Sequence, residues 1–282
     1  LSKGQSYYEF IPVNGTRRDL TKVETPRSVL KKAYIFDLKF STVSDLHSGN
    51  GKAKTIYKDK NVPALLLINY RNGEGIPCVP GSSLKGAVST NYLTLTGSIN
   101  STSELFGATT KELSVMSKIF FSDLVPINMP KMIQIPIQRG WEGKGRQKHV
   151  KIYVSKAPST SQYGFAECIP KETLLATRIQ GIELKDYEVG GLLTSMGLKF
   201  EKDKFTTSPM KIGYGKPQGL GQIQLSLKES KLSLINFKLL KNIETLDLEN
   251  ANIGSYIKAF YDKFKDRKPA ISSIYEKLFR RF

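Results

Sequence analysis

The sequence is poor in the residues that build metal centres and covalent cross-links. It has two cysteines, Cys78 and Cys168, and two histidines, His47 and His149, in 282 residues. Two cysteines make neither a disulfide framework nor a zinc ligand set. Two histidines argue against an all-protein transition-metal site. No run of about 18 apolar residues is present, which argues against a membrane-spanning helix. No secretory signal pattern opens the chain, so a soluble, cytoplasmic setting is expected. Negative charge is also scarce, with 25 Asp and Glu against 43 Lys and Arg.

What remains is a basic, foldable chain. Hydrophobic residues make up 39% and aromatic residues 10%, which excludes general disorder. The length suffices for one large domain or two small ones. A formal net charge of +18 creates a field that attracts polyanions. Nucleic acid is the leading partner class, ahead of an anionic membrane surface. A lysine-rich surface of the heat-stable kind would carry balancing glutamates, and they are not abundant here.

The hydrophobic pattern places several elements. Residues 33–42 alternate, with Tyr34, Phe36, Leu38 and Phe40 on one face and Asp37, Lys39 and Ser41 on the other, as in a half-buried strand. Residues 44–61 read as a Gly-, Asn- and Lys-rich loop. Leu84, Val88, Tyr92 and Leu95 recur at helical spacing after Ser82 and Ser83, either of which can cap that helix. Residues 117–124, 133–137, 150–155 and 173–184 read as strands, and the segment around 139–165 as a protruding hairpin. Residues 186–198 predict a helix weakened by Gly190 and Gly191. Ile223, Leu225 and Leu227 alternate in a further strand. Two amphipathic helices close the chain, one through Ile253, Ile257, Phe260 and Phe264, the other through Ile271, Tyr275, Leu278 and Phe282. The order strand, helix, strands, helix, strand predicts an α+β, ferredoxin-like core with insertions. The expected organisation is an N-terminal arm over 1–32, a core over 33–232 and a C-terminal helical extension over 233–282.

Three segments carry candidate chemistry. Val79–Gly86 reads as a loop feeding a helix N-terminus, where unpaired amides and the helix dipole favour anions. Gly81 there would admit a phosphate, Ser82 and Ser83 would cap or donate, and Lys85 would add charge. Residues 213–221 hold Gly213, Tyr214, Gly215, Lys216 and Gly219 in a glycine-rich loop before a strand. The loop matches neither a Walker loop nor a dinucleotide fingerprint. Residues 139–148 place Arg139, Lys144, Arg146 and Lys148 around Trp141, a mixture suited to phosphates and stacked bases. A tight helix entry, a hairpin turn and a solvated hairpin tip are the respective plain alternatives. His47, in the loop after the first strand, is a candidate general base towards a ribose hydroxyl, and Asp59 is a candidate carboxylate in a polar loop.

Four stretches occur together in the order of one family: Leu46-His47-Ser48-Gly49; Ile76–Gly86, reading IPCVPGSSLKG; Glu104-Leu105-Phe106-Gly107 with Ser117–Asp123; and Ile212–Gly221. In these the chain resembles the RAMP superfamily of CRISPR-associated proteins. It is most similar to the Csm-type backbone subunit of type III effector complexes. The resemblance implies a core related to the RNA-recognition motif and a thumb-like hairpin within 139–165. It implies guide RNA and complementary target RNA as ligands, with other effector subunits and copies or paralogues of the chain as partners. It also implies a guide channel lined by Ser48, Gly49, the helix start and the loop at 213–221. One position departs from the pattern: cleaving relatives carry Ile-Asp-x-Pro, and here Lys60-Asn61-Val62-Pro63 stands in its place. Asn61 is a poorer metal ligand than Asp and no base, so a non-cleaving subunit with no cofactor is expected. The alternatives are metal-dependent cleavage through Asp59 with Mg²⁺, guide processing through His47, and an end-capping subunit.

Overall fold

The alternating residues of 33–42 form the spine of a mixed α+β fold. A computed structural model of the protein describes residues 7–15, 30–55, 64–71, 75–109, 114–138, 146–158, 162–237 and 243–282. The chain begins with β1 (Tyr8–Pro12) and β2 (Lys32–Thr42). In β2, Tyr34, Phe36, Leu38 and Phe40 are fully buried, while the intervening residues face outward and are only partly covered. β3 (Gly49–Thr55) pairs antiparallel with β4 (Ala64–Ile68). Residues 49–55 are therefore strand where loop was expected; ladder hydrogen bonds to an apolar neighbour override a polar, glycine-rich sequence.

Helices α1 (Gly81–Thr96) and α2 (Ile99–Phe106) follow, then short strands β5 (Ala108–Thr109), β6 (Ser114–Val115), β7 (Ile119–Phe121) and β8 (Val125–Pro126). Next come β9 (Ile133–Gln138), β10 (His149–Tyr153), β11 (Gln162–Cys168) and β12 (Leu174–Ile182). The strands on either side of the basic loop at 139–148 do not pair with each other among the described residues. β9 pairs with β11, and β10 pairs with β1. Part of the segment read as an N-terminal arm thus pairs as a strand with β10. Lys148, at φ 54°, turns the chain into β10.

Helix α3 (Asp186–Ser195) leads to β13 (Leu198–Glu201), β14 (Lys204–Thr207), β15 (Met210–Lys211) and β16 (Gln222–Leu225). The central antiparallel sheet runs β15-β16-β2-β12-β7, with β8 also on β12. The extension after 232 is not purely helical. β17 (Lys231–Asn236) pairs with residues 32–37 of β2, and β18 (Ile243–Asp247) pairs with β17. Helices α4 (Ala251–Lys263) and α5 (Lys268–Leu278) then complete the core. Their Ile253, Ile257, Phe260, Ile271 and Tyr275 are buried in the same cluster as Leu84, Val88, Tyr92 and Leu95 of α1.

Gly190 and Gly191 are what allow α3 to reach this layer. A Cβ on Gly190 would collide with the Tyr256 carbonyl of α4, and one on Gly191 would lie 2.6 Å from the Tyr92 ring. In an exposed helix a Gly→Ala change gains about 1 kcal/mol. At Gly190 the collision with backbone reverses the sign, and Gly190→Ala is expected to destabilise by about 2 kcal/mol or more. The urea midpoint should fall at unchanged m-value; a raised midpoint would show that α3 and α4 are not in contact here.

Candidate nucleic-acid interface

The site is built where the chain leaves β2. Thr42 ends the strand, and residues 43–49 turn across its end. The Val43 amide donates to the Gln222 carbonyl at 2.7 Å, and the Leu46 amide to the Ile169 carbonyl at 2.8 Å. The glycine-rich loop closes over this turn. Tyr214 N–H donates to the His47 carbonyl at 2.9 Å, and Gly221 N–H to the Asp45 carbonyl at 2.8 Å. Gly213, Gly215, Gly219 and Gly221 have φ of 78°, 75°, 87° and 72°, all left-handed and costly for any residue with a Cβ. A Cβ on Gly213 would also strike the His47 carbonyl.

Beside this crossing lies a cleft of about 590 Å³. Ser48, Gly49, Ser83, Gly213, Tyr214 and Lys216 line it, so parts of the stretches Leu46–Gly49, Ile76–Gly86 and Ile212–Gly221 meet there. Lys151, Tyr153 and Lys211 join them, as do Gly86 and Thr90 of α1. Among the described residues the lining holds three lysines and no carboxylate. Burial lowers the pKa of all three lysines, and for Lys211 burial together with the nearby Arg280 charge pushes it down to about 8. The Lys211 ammonium donates to the Leu278 carbonyl at 3.0 Å and the Tyr153 carbonyl at 3.3 Å. The same ammonium lies 4.2 Å from the centre of the Phe282 ring. Lys151 lies 4.5 Å from the centre of the Tyr8 ring and 5.1 Å from that of Tyr153. Such a surface suits an anion with apolar or stacking parts.

Other candidate residues sit elsewhere. Ser82 and Ser83 do not cap α1: Pro80 occupies the N-cap without a side-chain bond. The Gly81 amide instead donates to the Asp123 carboxylate at 2.8 Å, which places a negative charge at the positive helix end. Gly81 is buried against the Phe121 carbonyl, so its missing side chain serves packing rather than a phosphate. Lys85 donates to the Ser117 hydroxyl at 3.0 Å and does not line the cleft, and burial lowers its pKa. Gly215 and Gly219 shape the loop behind the cleft; a Cβ on Gly219 would lie 2.6 Å from the Lys156 side chain. Arg146 and Lys148 are exposed near the start of β10. Asp59, Asn61, Arg139, Trp141 and Lys144 lie outside the described residues.

His47 is 1% exposed. Its Nδ1 lies 2.7 Å from the Glu167 carbonyl, which only accepts, so Nδ1 carries the proton. Burial lowers its pKa against the upward pull of Glu167. The ring meets Tyr214 edge-on at 6.0 Å. This histidine braces the turn and is not presented to the cleft as a base. Asn69 is a brace that sequence reading passed over. Its side chain donates to the Ser48 carbonyl at 2.9 Å and the Gly49 carbonyl at 2.6 Å. Lys151 and Lys211 were also missed, as single lysines in two unremarkable strands. Only the i, i+2 spacing of Lys151 and Tyr153, which puts both on one strand face, hinted at the first. Among the described residues no three His, Cys, Asp or Glu side chains gather into a metal-binding group, and no helix is long and apolar enough to cross a membrane.

The model of the RAMP superfamily matches residues 39–224, the larger part of the chain. A search of curated proteins gives no match. Among solved structures, a chain from the "Cryo-EM structure of the Type III-B Cmr-beta bound to cognate target RNA" is similar at 15% identity and a TM-score of 0.45. The alignment covers 77% of this chain and 61% of that one.

The buried lysine gives a pH test. Between about pH 8 and the ordinary lysine value of 10.5, the unfolded chain holds a proton that folded Lys211 has lost. The contribution of Lys211 to stability therefore rises with pH across that window and is lowest below it. In urea titrations, the stability of the native chain relative to Lys211→Met should improve by on the order of 1–3 kcal/mol from pH 7.5 to 10.5. A difference that stays constant with pH would show that Lys211 is solvated.

Proposed function

Because the chain belongs to the RAMP superfamily, we propose that it is a guide-RNA-binding backbone subunit of a type III CRISPR effector complex, of the Csm type. The strand order β16-β2-β12-β7, with α1 after β2 and α3 after β12, supports a ferredoxin-like core. That core spans about residues 33–232, with 233–282 as an extension packed on it. The observation that carries the functional reading is the cleft. Among the described residues it gathers three lysines and no carboxylate, between the turn after β2, the start of α1 and the glycine-rich loop. Point charges and backbone can hold phosphates but do not read base edges, so binding is largely independent of sequence. Complementary target RNA and other effector subunits are the further partners of this reading. Strand β1 and helices α4 and α5 are used within this chain's own fold, which favours a stacking subunit over an end cap.

The test is the salt dependence of single-stranded RNA binding. Each phosphate neutralised contributes a log–log slope of roughly −0.7. The combined variant Lys151→Ala, Lys211→Ala, Lys216→Ala is expected to reduce the slope by about 2 and to weaken binding of all sequences alike. Salt-insensitive binding, or none by the native chain, overturns the reading.

Cleavage is the second measurement. With guide, partner subunits and Mg²⁺ present, complementary RNA should remain intact, because Asn61 stands where cleaving relatives have Asp and His47 is buried. Cutting that disappears in Asp59→Ala would make this chain a metal-dependent ribonuclease.

A further inference from the structure

Helix α5 ends between two clefts. Its last residue, Leu278, lines the lysine cleft. The residues that follow, Phe279, Arg280 and Arg281, line a second cleft of about 440 Å³ together with Ser208 and Lys277. The strand side repeats the arrangement: Ser208 and Pro209 line the second cleft, Lys211 and Ile212 the first. Successive Cα atoms lie about 3.8 Å apart, so the two clefts adjoin along both segments.

The charges of the second cleft are unevenly matched. Glu276 pairs with Lys199 at 2.8 Å, and Lys277 pairs with Glu9 at 2.7 Å. Arg280 and Arg281 are exposed and make no ion pair among the described residues. They are nevertheless held in place. Phe279 before them is 2% exposed, and its amide donates to the Tyr275 carbonyl at 3.0 Å. Phe282 after them donates its amide to the Gln222 side chain at 3.1 Å, and its ring lies 4.2 Å from the Lys211 ammonium. Two arginines fixed between the buried Phe279 and the half-buried Phe282 lose less freedom on binding than arginines on a free tail. The influence of Arg280 on Lys211 shows that the clefts share one field.

We propose that Arg280 and Arg281 form a second phosphate subsite, which takes the phosphodiesters adjoining those in the lysine cleft on the same RNA strand. The guanidinium fork binds phosphate oxygens in pairs, whereas the lysines act as point charges. The inference rests on the RNA-binding reading but can fail separately from it.

The experiment measures binding of the full chain to single-stranded RNA of about 4 and about 16 nucleotides, across a salt series. The compared proteins are native, Arg280→Ala/Arg281→Ala and Arg280→Lys/Arg281→Lys. For the longer RNA, the alanine variant should bind about tenfold more weakly at low salt, with a slope reduced by about 1.4. The lysine variant should keep the native slope, and the shorter RNA should bind all three proteins alike. Native binding of the longer RNA with an unchanged alanine variant overturns the subsite and leaves the functional reading standing. That outcome would assign the arginines to an acidic protein surface. Equal losses on both lengths also overturn it, because the arginines would then act within the first cleft. No native binding at either length removes the RNA reading itself.

Discussion

The crossing of two backbone turns, residues 43–49 and 212–221, is the constraint on which the interface depends. The loops pass so close that the Gly213 position has no space for a Cβ beside the His47 carbonyl, nor Gly221 beside that of Ile212. Hydrogen bonds from Tyr214 and Gly221 to residues 47 and 45 then lock the crossing. Only glycine combines this proximity with the left-handed φ that these positions adopt. The glycines thus act first on the fold. By fixing the crossing they set Ser48, Gly49, Tyr214 and Lys216 along one wall, opposite residues of α1 and β10.

The charge of that wall follows from where the few carboxylates are used. Glu188 pairs with Lys118, Glu276 with Lys199, Glu9 with Lys277 and Asp37 with Arg178. Asp123 is taken up by the start of α1. None of these carboxylates lines the lysine cleft. There burial lowers the pKa of the three lysines, and two carbonyls offset the burial of Lys211 only in part. In the proposed reading an arriving phosphate adds negative charge beside these partly desolvated lysines and so stabilises their charged form. The excess positive charge of the whole chain favours polyanions at a distance, and in the proposed reading the cleft is the place of contact.

How much of this was legible in the sequence follows from range. The faces of β2 and α1 were readable because each burial pattern has its own local period. The glycine-rich loop was readable because its conformation demands glycine. Pairings were not. Whether β10 joins β9 or β1 depends on residues far apart in sequence, and β3 is a strand because of β4, not because of its own residues. Asp123 reaches the amide of Gly81 from 42 positions away, so the serines beside that amide misled the assignment of the cap. Gly190 and Gly191 read as helix weakness because α4, which needs their lack of side chains, comes some 60 residues later. Lys151 and Lys211 were hidden among 43 basic residues and are distinguished only by the cleft they share.

Histidine 47 shows why a motif residue need not be a chemical one. A general base must reach the proton it removes, and this ring is enclosed, with Nδ1 donating to the Glu167 carbonyl and Nε2 directed towards Gly49. A Cβ at residue 49 would lie 2.9 Å from Nε2, so the histidine and the glycine require each other sterically. Glu167 extends the brace, since its carboxylate accepts from Tyr70 at 2.8 Å and from the Ile68 amide at 3.2 Å. The Leu46–Gly49 motif is therefore a joint that ties the end of β2 to β4 and β11. It fixes the position of Ser48 and Gly49 in the lining of the lysine cleft.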